Sequence, residues 1–185
     1  MEQSIVEINC LGVEQIKQLE EWTGLKCGEV LFDSNKDNWA ENTSVFNDRI
    51  IGKKQIVFLV ESEDGEQFGY YLHTEIIEEY YFLIKTDTKS FEFNLESKDN
   101  RLPGPMKFEI KKKISGGYKL FKKSDDVLIT LGDIVLSKEN KKHESFCCSH
   151  RENRFDYHGI ENALCGKTYI PDTFIPKRIL VIQMK

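Results

Sequence analysis

Proline is scarce in this 185-residue chain, at four residues, and glycine reaches only twelve. That composition excludes collagen-like and linker-rich architectures. Long apolar runs are missing too. Ile56–Val60 and Ile179–Ile182 stop far short of the ~20 residues that a membrane-spanning helix needs. Met1–Cys10 is acidic and has no basic stretch before an apolar core, so no secretory signal is predicted. The chemistry-bearing signatures that spacing alone reveals are absent: no phosphate loop, no dinucleotide fingerprint, no His-Glu-x-x-His, no Gly-x-Ser-x-Gly and no Cys-x-x-Cys. The five cysteines are an odd number. With no signal sequence, they predict reduced thiols in the cytosol or nucleus. Neither charge sign dominates: 26 basic and 31 acidic residues leave a net charge of −5, too mild for a nucleic-acid-binding composition.

The chain does hold enough material for one domain with a self-sufficient core. Hydrophobic residues make up 39% and aromatics 11%, including 12 Phe and 7 Tyr, a supply suited to β-structure. Val13, Ile16, Leu19 and Trp22 recur at helical spacing, and Gly24 is placed to stop that helix. Val30-Leu31-Phe32 reads as a strand ended by Asp33-Ser34-Asn35. Residues 39–51 read as a second helix, with Trp39, Phe46 and Ile50 or Ile51 on its buried face and Gly52 at its end. The signal then turns to β. Residues 55–62 and 67–73 flank Asp64-Gly65, a two-residue hairpin turn. Residues 80–84 and 91–95 follow, the latter with Phe91, Phe93 and Leu95 on one face. Strands over 108–114, 118–121, 127–131, 134–137 and 178–184 complete about ten strands and two helices. The expected fold is mostly β with two helices (α+β), a two-sheet antiparallel sandwich. Charge is uneven: residues 1–100 carry 9 basic and 21 acidic side chains, residues 101–185 carry 17 and 10. Two halves that attract or intermix in space explain this, as do acidic and basic surfaces built from different strands.

Candidate chemistry gathers late in the chain. His143, Cys147, Cys148, His150, His158 and Cys165 lie within 23 residues. Thiolates and imidazoles are zinc's preferred ligands, and four of these would hold one ion. Adjacent cysteines on a strand point to opposite sides, however, which opposes a shared ion. Cys147 or Cys148 is also a candidate redox-sensitive thiol, with His143, His150 and Arg151 near in sequence to lower its pKa. The alternative is a small buried cysteine among loop histidines. Residues 107–123 hold seven lysines around Phe108, Tyr118 and Phe121. Basic and aromatic side chains together suit single-stranded nucleic acid. The alternation instead favours core aromatics under a solvated lysine face, which leaves nucleic acid as an unfavoured partner. No cofactor is expected.

The order of short segments resembles the TLDc domain, the module of the oxidation-resistance proteins and their relatives. The resemblance rests on Leu31-Phe32-Asp33-Ser34 with Asp37 and Phe46, on Phe68-Gly69-Tyr70-Tyr71, and on Phe91-Glu92-Phe93-Asn94-Leu95. It continues through Ser145-x-x-Cys148, Asn162-x-Leu164, and Phe174 followed by Arg178–Ile182. Residues 149–159 look like an insertion. It spans about 13–184, which makes 1–185 a single domain with residues 1–12 as an N-terminal extension. The resemblance implies a sandwich of two antiparallel sheets with two helices. It implies a protein-interaction module in oxidative-stress resistance that binds or regulates the vacuolar proton pump (the V-ATPase), in the cytoplasm. The family supplies no agreed catalytic residue or cofactor. Gly69, Ser145, Cys148 and Asn162 match recurrent positions. Gly69 reads as a packing glycine. Ser145 and Cys148 are candidate functional side chains, alongside the alternative of a locally bonded hydroxyl and a small buried thiol.

Overall fold

The apolar runs at 56–60 and 179–182 are too short for a membrane, yet they have no polar alternation. A strand of that kind must be buried on both faces. The computed structural model places both in the middle of one sheet. It describes residues 11–78, 82–111, 117–139, 141, 145–147, 154–165 and 172–185. No helix among them is long and apolar enough to cross a membrane.

The elements run α1 (Val13–Thr23), β1 (Cys27–Asp33), α2 (Phe46–Ile50), β2 (Ile56–Ser62), β3 (Gln67–Leu72), β4 (Ile84–Lys85), β5 (Phe91–Glu96) and β6 (Met106–Glu109). They continue with β7 (Gly117–Leu120), β8 (Val127–Leu131), β9 (Ile134–Ser137), β10 (Phe146–Cys147), β11 (Asp172–Thr173) and β12 (Pro176–Met184). Sheet A has the order β1-β12-β2-β3-β5-β6 and sheet B the order β11-β10-β9-β8-β7-β4. Every strand pair is antiparallel. The expected two-sheet, mostly β fold with two helices is therefore the observed one.

Alternate residues of sheet A serve two cores. Phe58, Val60, Phe68, Tyr70, Ile179 and Val181 face sheet B in the larger core. Val57, Leu59, Tyr71, Leu180 and Ile182 face the opposite way, under α1. Helix α1 covers that outer face with Ile16, Leu19 and Trp22. The Trp22 ring lies 6.3 Å from Phe91 and 6.1 Å from Phe93. Gly24 ends the helix in the left-handed region, at φ 70°, as its sequence position predicted.

Two expectations need correction. The second helix is only Phe46–Ile50. Asn38 Oδ1 accepts the Ala40 N–H at 2.9 Å and Ser44 Oγ accepts the Phe46 N–H at 3.1 Å. These local bonds take the backbone out of helical register. The strand expected over 80–84 is reduced to Ile84–Lys85: residues 80 and 81 lie outside the described residues, and Phe82 and Leu83 are described but are not in a strand. In β5, Phe91, Phe93 and Leu95 share a face as expected, and it is the face beneath α1. Glu92 and Asn94 therefore point between the sheets, both fully buried.

Gly69 of β3 pairs with Leu59 of β2 on one side and with Phe93 of β5 on the other. A Cβ there would run into the Phe58 carbonyl and the Phe93 ring. Gly69→Ala should lower stability by about 1–3 kcal/mol in urea unfolding; wild-type stability would contradict the packing role.

Candidate functional site

The polar face of β5 meets two other segments. The turn between β8 and β9 brings Gly132 and Asp133 toward it. Gly132 has φ 57°, and a Cβ there would collide with Glu92 Oε1 and the Phe155 ring, so both the turn geometry and the available space call for glycine. The second segment is 154–157, which runs along the outer edge of β6. Ile110 and Phe155 form an isolated antiparallel bridge. The Lys111 N–H donates to the Arg154 carbonyl and the Asp156 N–H to the Glu109 carbonyl, both at 2.9 Å. Residues 155 and 157 thereby point inward, and both rings are fully buried. The Tyr157 ring packs 5.1 Å from Phe108.

Glu92, Asp133 and Tyr157 converge there. The Asp133 N–H donates to Glu92 Oε1 at 2.6 Å. The Tyr157 hydroxyl oxygen lies 2.5 Å from Glu92 Oε2 and 2.7 Å from Asp133 Oδ2. A phenol carries one hydrogen, so it cannot donate to both carboxylates. One carboxyl must bring its own proton. Glu92 is the wholly buried one. Burial first, and the Asp133 charge second, push its carboxyl well above the ordinary range, while bonds from Tyr157 and Asp133 and the nearby Arg154 charge pull the other way. The consistent chain has the Glu92 acid donating to Tyr157, which donates to Asp133. Burial and the same two carboxyls push the Tyr157 hydroxyl far up as well. Perturbed, coupled groups of this kind mark a candidate functional site.

The residues singled out in the sequence are distributed differently. Cys147 and Cys165 are joined by a disulfide with Cα atoms 6.7 Å apart. The expectation of reduced thiols is corrected for this pair: β10 and the 162–165 segment both direct their side chains into the inter-sheet core, where the sulfurs meet. Neither can then act as a free redox thiol or a thiolate ligand while bonded. The bond also removes one support for a cytosolic assignment. His143, Cys148 and His150 lie outside the described residues. His158 is exposed, with Nε2 3.2 Å from the Lys107 carbonyl. Among the described residues no group of three or more His, Cys, Asp or Glu is placed to hold a metal. Ser145 is buried, and its Oγ accepts the Ser137 N–H at 3.0 Å, a locally bonded hydroxyl. Asn162 is buried with φ 52°. Of the 107–123 aromatics, Phe108 and Tyr118 are core. Phe121 is half-buried, with Lys119 Nζ 4.5 Å from its ring centre. The free cysteine among the described residues is Cys27, whose thiol burial pushes up to about 11, away from reactivity.

Sequence reasoning passed over Glu92, Asp133 and Tyr157 as site residues. The signal for Glu92 was available. Its strand lies in a hairpin array whose central member, 56–60, is apolar on both faces, so the polar positions of Phe91-Glu92-Phe93-Asn94 had no solvent side to occupy. Compared with family models and with curated proteins, the chain matches none.

Two outcomes follow. Tyr157→Phe removes the hydroxyl that joins the two carboxyls and should lower stability by about 1–3 kcal/mol at pH 6; an unchanged urea midpoint would show that the chain of bonds carries no stability. Proteolytic peptide mapping without reductant should recover the Cys147 and Cys165 peptides linked, and recovery of both as free thiols would remove the cross-link.

Proposed function

We propose that this chain is a protein-binding module of the TLDc type, acting in oxidative-stress resistance through the vacuolar proton pump. The observation that carries this reading is what the residues of the resemblance do. Ser34 Oγ accepts the Ile179 N–H at 2.9 Å, and Asp33 holds Arg178 through two bonds of 3.0 and 2.7 Å. Thus the first resembling segment is fastened to the last. Gly69 leaves room for the Phe58 carbonyl and the Phe93 ring, and Ser145 ties β9 to β10. Side chains used in this way define a scaffold, and a scaffold acts through what it displays. Displayed here are Ile77, Phe82 and Leu83, which are 46%, 74% and 41% exposed, apolar exposure of the kind that protein partners cover.

A second reading has its own support. The Cys147–Cys165 bond makes this pair, in place of either cysteine alone, the candidate for thiol-based redox sensing.

The purified chain, immobilised and exposed to purified vacuolar proton pump, should enrich pump subunits over a bare matrix. Phe82→Asp should weaken that enrichment without changing the unfolding midpoint. No enrichment by the wild-type chain would remove the pump as partner.

A further inference from the structure

Segment 154–157 is held at its backbone by the outer edge of β6 and at its side chains by the Tyr157 contacts. Those contacts join all three neighbouring pieces: β5 through Glu92, the β8–β9 turn through Asp133, and the covering segment through Tyr157. The oxygen spacings demand one proton more than the phenol supplies, as argued above. We propose that Glu92, Tyr157 and Asp133 form a protonation-operated latch, in which the Glu92 proton holds segment 154–157 against the sandwich and its loss to solvent releases the segment. This inference is independent of the TLDc reading.

With Glu92 neutral, each donor has an acceptor: the Glu92 acid to Tyr157, Tyr157 to Asp133, and the Asp133 amide to Glu92. When the proton leaves, the two carboxylates at the Tyr157 hydroxyl share its single hydrogen, and Glu92 carries its charge at a fully buried position, which is costly. The groups that meet Glu92 are few. Asp133 comes from the β8–β9 turn and opposes ionisation. Arg154, from the covering segment, favours it. Tyr70, paired with Glu92 across β3 and β5, supplies a neutral phenol that bonds Thr86 at 3.1 Å. Phe108, paired with Glu92 from β6, supplies no charge. The state that relieves the ionised pair is the one that lets water reach it, and segment 154–157 is the movable wall. Its release uncovers the outer edge of β6 and the rings of Phe108 and Tyr70, an edge and an apolar face available for pairing.

The direction with pH follows from proton counting. The native state keeps the Glu92 proton at pH values where an unfolded or opened chain has lost it. Between the ordinary carboxylate value and the raised native one, the closed state binds more protons. Stability of the closed state therefore falls as pH rises.

Hydrogen–deuterium exchange of the intact chain between pH 5.5 and 8.5, corrected for the intrinsic pH dependence of exchange, reads the latch directly. Amides of 154–157 and Lys111 should lose protection about tenfold per pH unit between the ordinary carboxylate value and the raised Glu92 titration, and level off above it. Amides of 179–182, at the centre of sheet A, should not. Glu92→Gln replaces the acid proton with an amide N–H and keeps the acceptor for Asp133, so its protection should be flat over the range. Asp133→Asn removes the charge that keeps the proton on Glu92, so the loss should level off at a lower pH and be smaller in total. Equal wild-type protection at pH 5.5 and 8.5, or an unaltered pH dependence in Glu92→Gln, overturns the latch. If Glu92→Gln does not fold, Asp133→Asn decides, and a loss as large as in the wild type, continuing to the same or a higher pH, overturns it.

Discussion

The pairing of β12 with β2 is the interaction on which the rest of the structure depends. Seven register pairs run from Pro176–Ser62 to Gln183–Ile56, which places the end of the described chain in the middle of sheet A. Because both strands are apolar on both sides, the sheet must be covered twice. Helix α1 supplies one cover and sheet B the other. Once that constraint is set, the inner strands β3 and β5 of sheet A also have two buried faces, whatever their own sequences suggest. For β3 this is harmless, since Phe68, Tyr70 and Leu72 face one core and Tyr71 the other. For β5 it forces Glu92 and Asn94 indoors. Asn94 is accommodated by donating to the Leu164 carbonyl at 3.0 Å. Glu92 is accommodated by keeping a proton.

This constraint also separates what was legible in the sequence from what was not. The stop at Gly24 and the strands 127–131 and 134–137 depend on local rules, and they stand where those rules put them; the hairpin also turns at Asp64-Gly65, but through residues 63–66 in place of the expected two-residue turn. Helix 39–51 failed because apolar spacing competes with side-chain-to-backbone bonds. Asn38 and Ser44 hold the chain in turns, and Asn42 adopts φ 66°. The Glu92 site was hidden for a different reason. Period-2 alternation tells which residues share a face but not which face meets solvent. Only the helix laid over Phe91 and Phe93 resolves that. Tyr157 was hidden further still, since it comes from a segment held by one isolated bridge and two backbone bonds.

The uneven charge along the chain has a comparable explanation. Asp33 with Arg178, Asp48 with Lys123, and Glu61 with Lys177 each join the acidic first half to the basic second. The antiparallel order that brings β12 between β1 and β2 makes two of those pairs neighbours. The Lys123 and Lys177 pairs are largely exposed and contribute little. In the Asp33–Arg178 pair Asp33 is buried and Arg178 half-buried, and its worth is different in kind. Burial alone would raise the Asp33 carboxyl; the Arg178 guanidinium, with the Asn35 N–H and Lys36, more than reverses that and holds it below the ordinary value. Removing one partner would strand the other, so the pair fixes register as much as it adds stability.

Two buried ionisable groups at different places in the fold show how environment decides between a clamp and a switch. Lys138 is almost fully buried. Its ammonium donates to the carbonyls of Lys122, at 2.9 Å, of Lys123, at 2.7 Å, and of Asp125. Three N–H groups meet three carbonyls, and carbonyls carry no exchangeable proton. The arrangement therefore looks the same at any pH where the lysine is charged, and it pins the turn before β8 permanently. Glu92 faces acceptors that compete for its proton instead of sharing out donors. Its neighbours are an acid, a phenol and a turn amide, of which two titrate. A site assembled from titrating partners has a state that solvent can change, and a covering segment held by few backbone bonds gives that state somewhere to go.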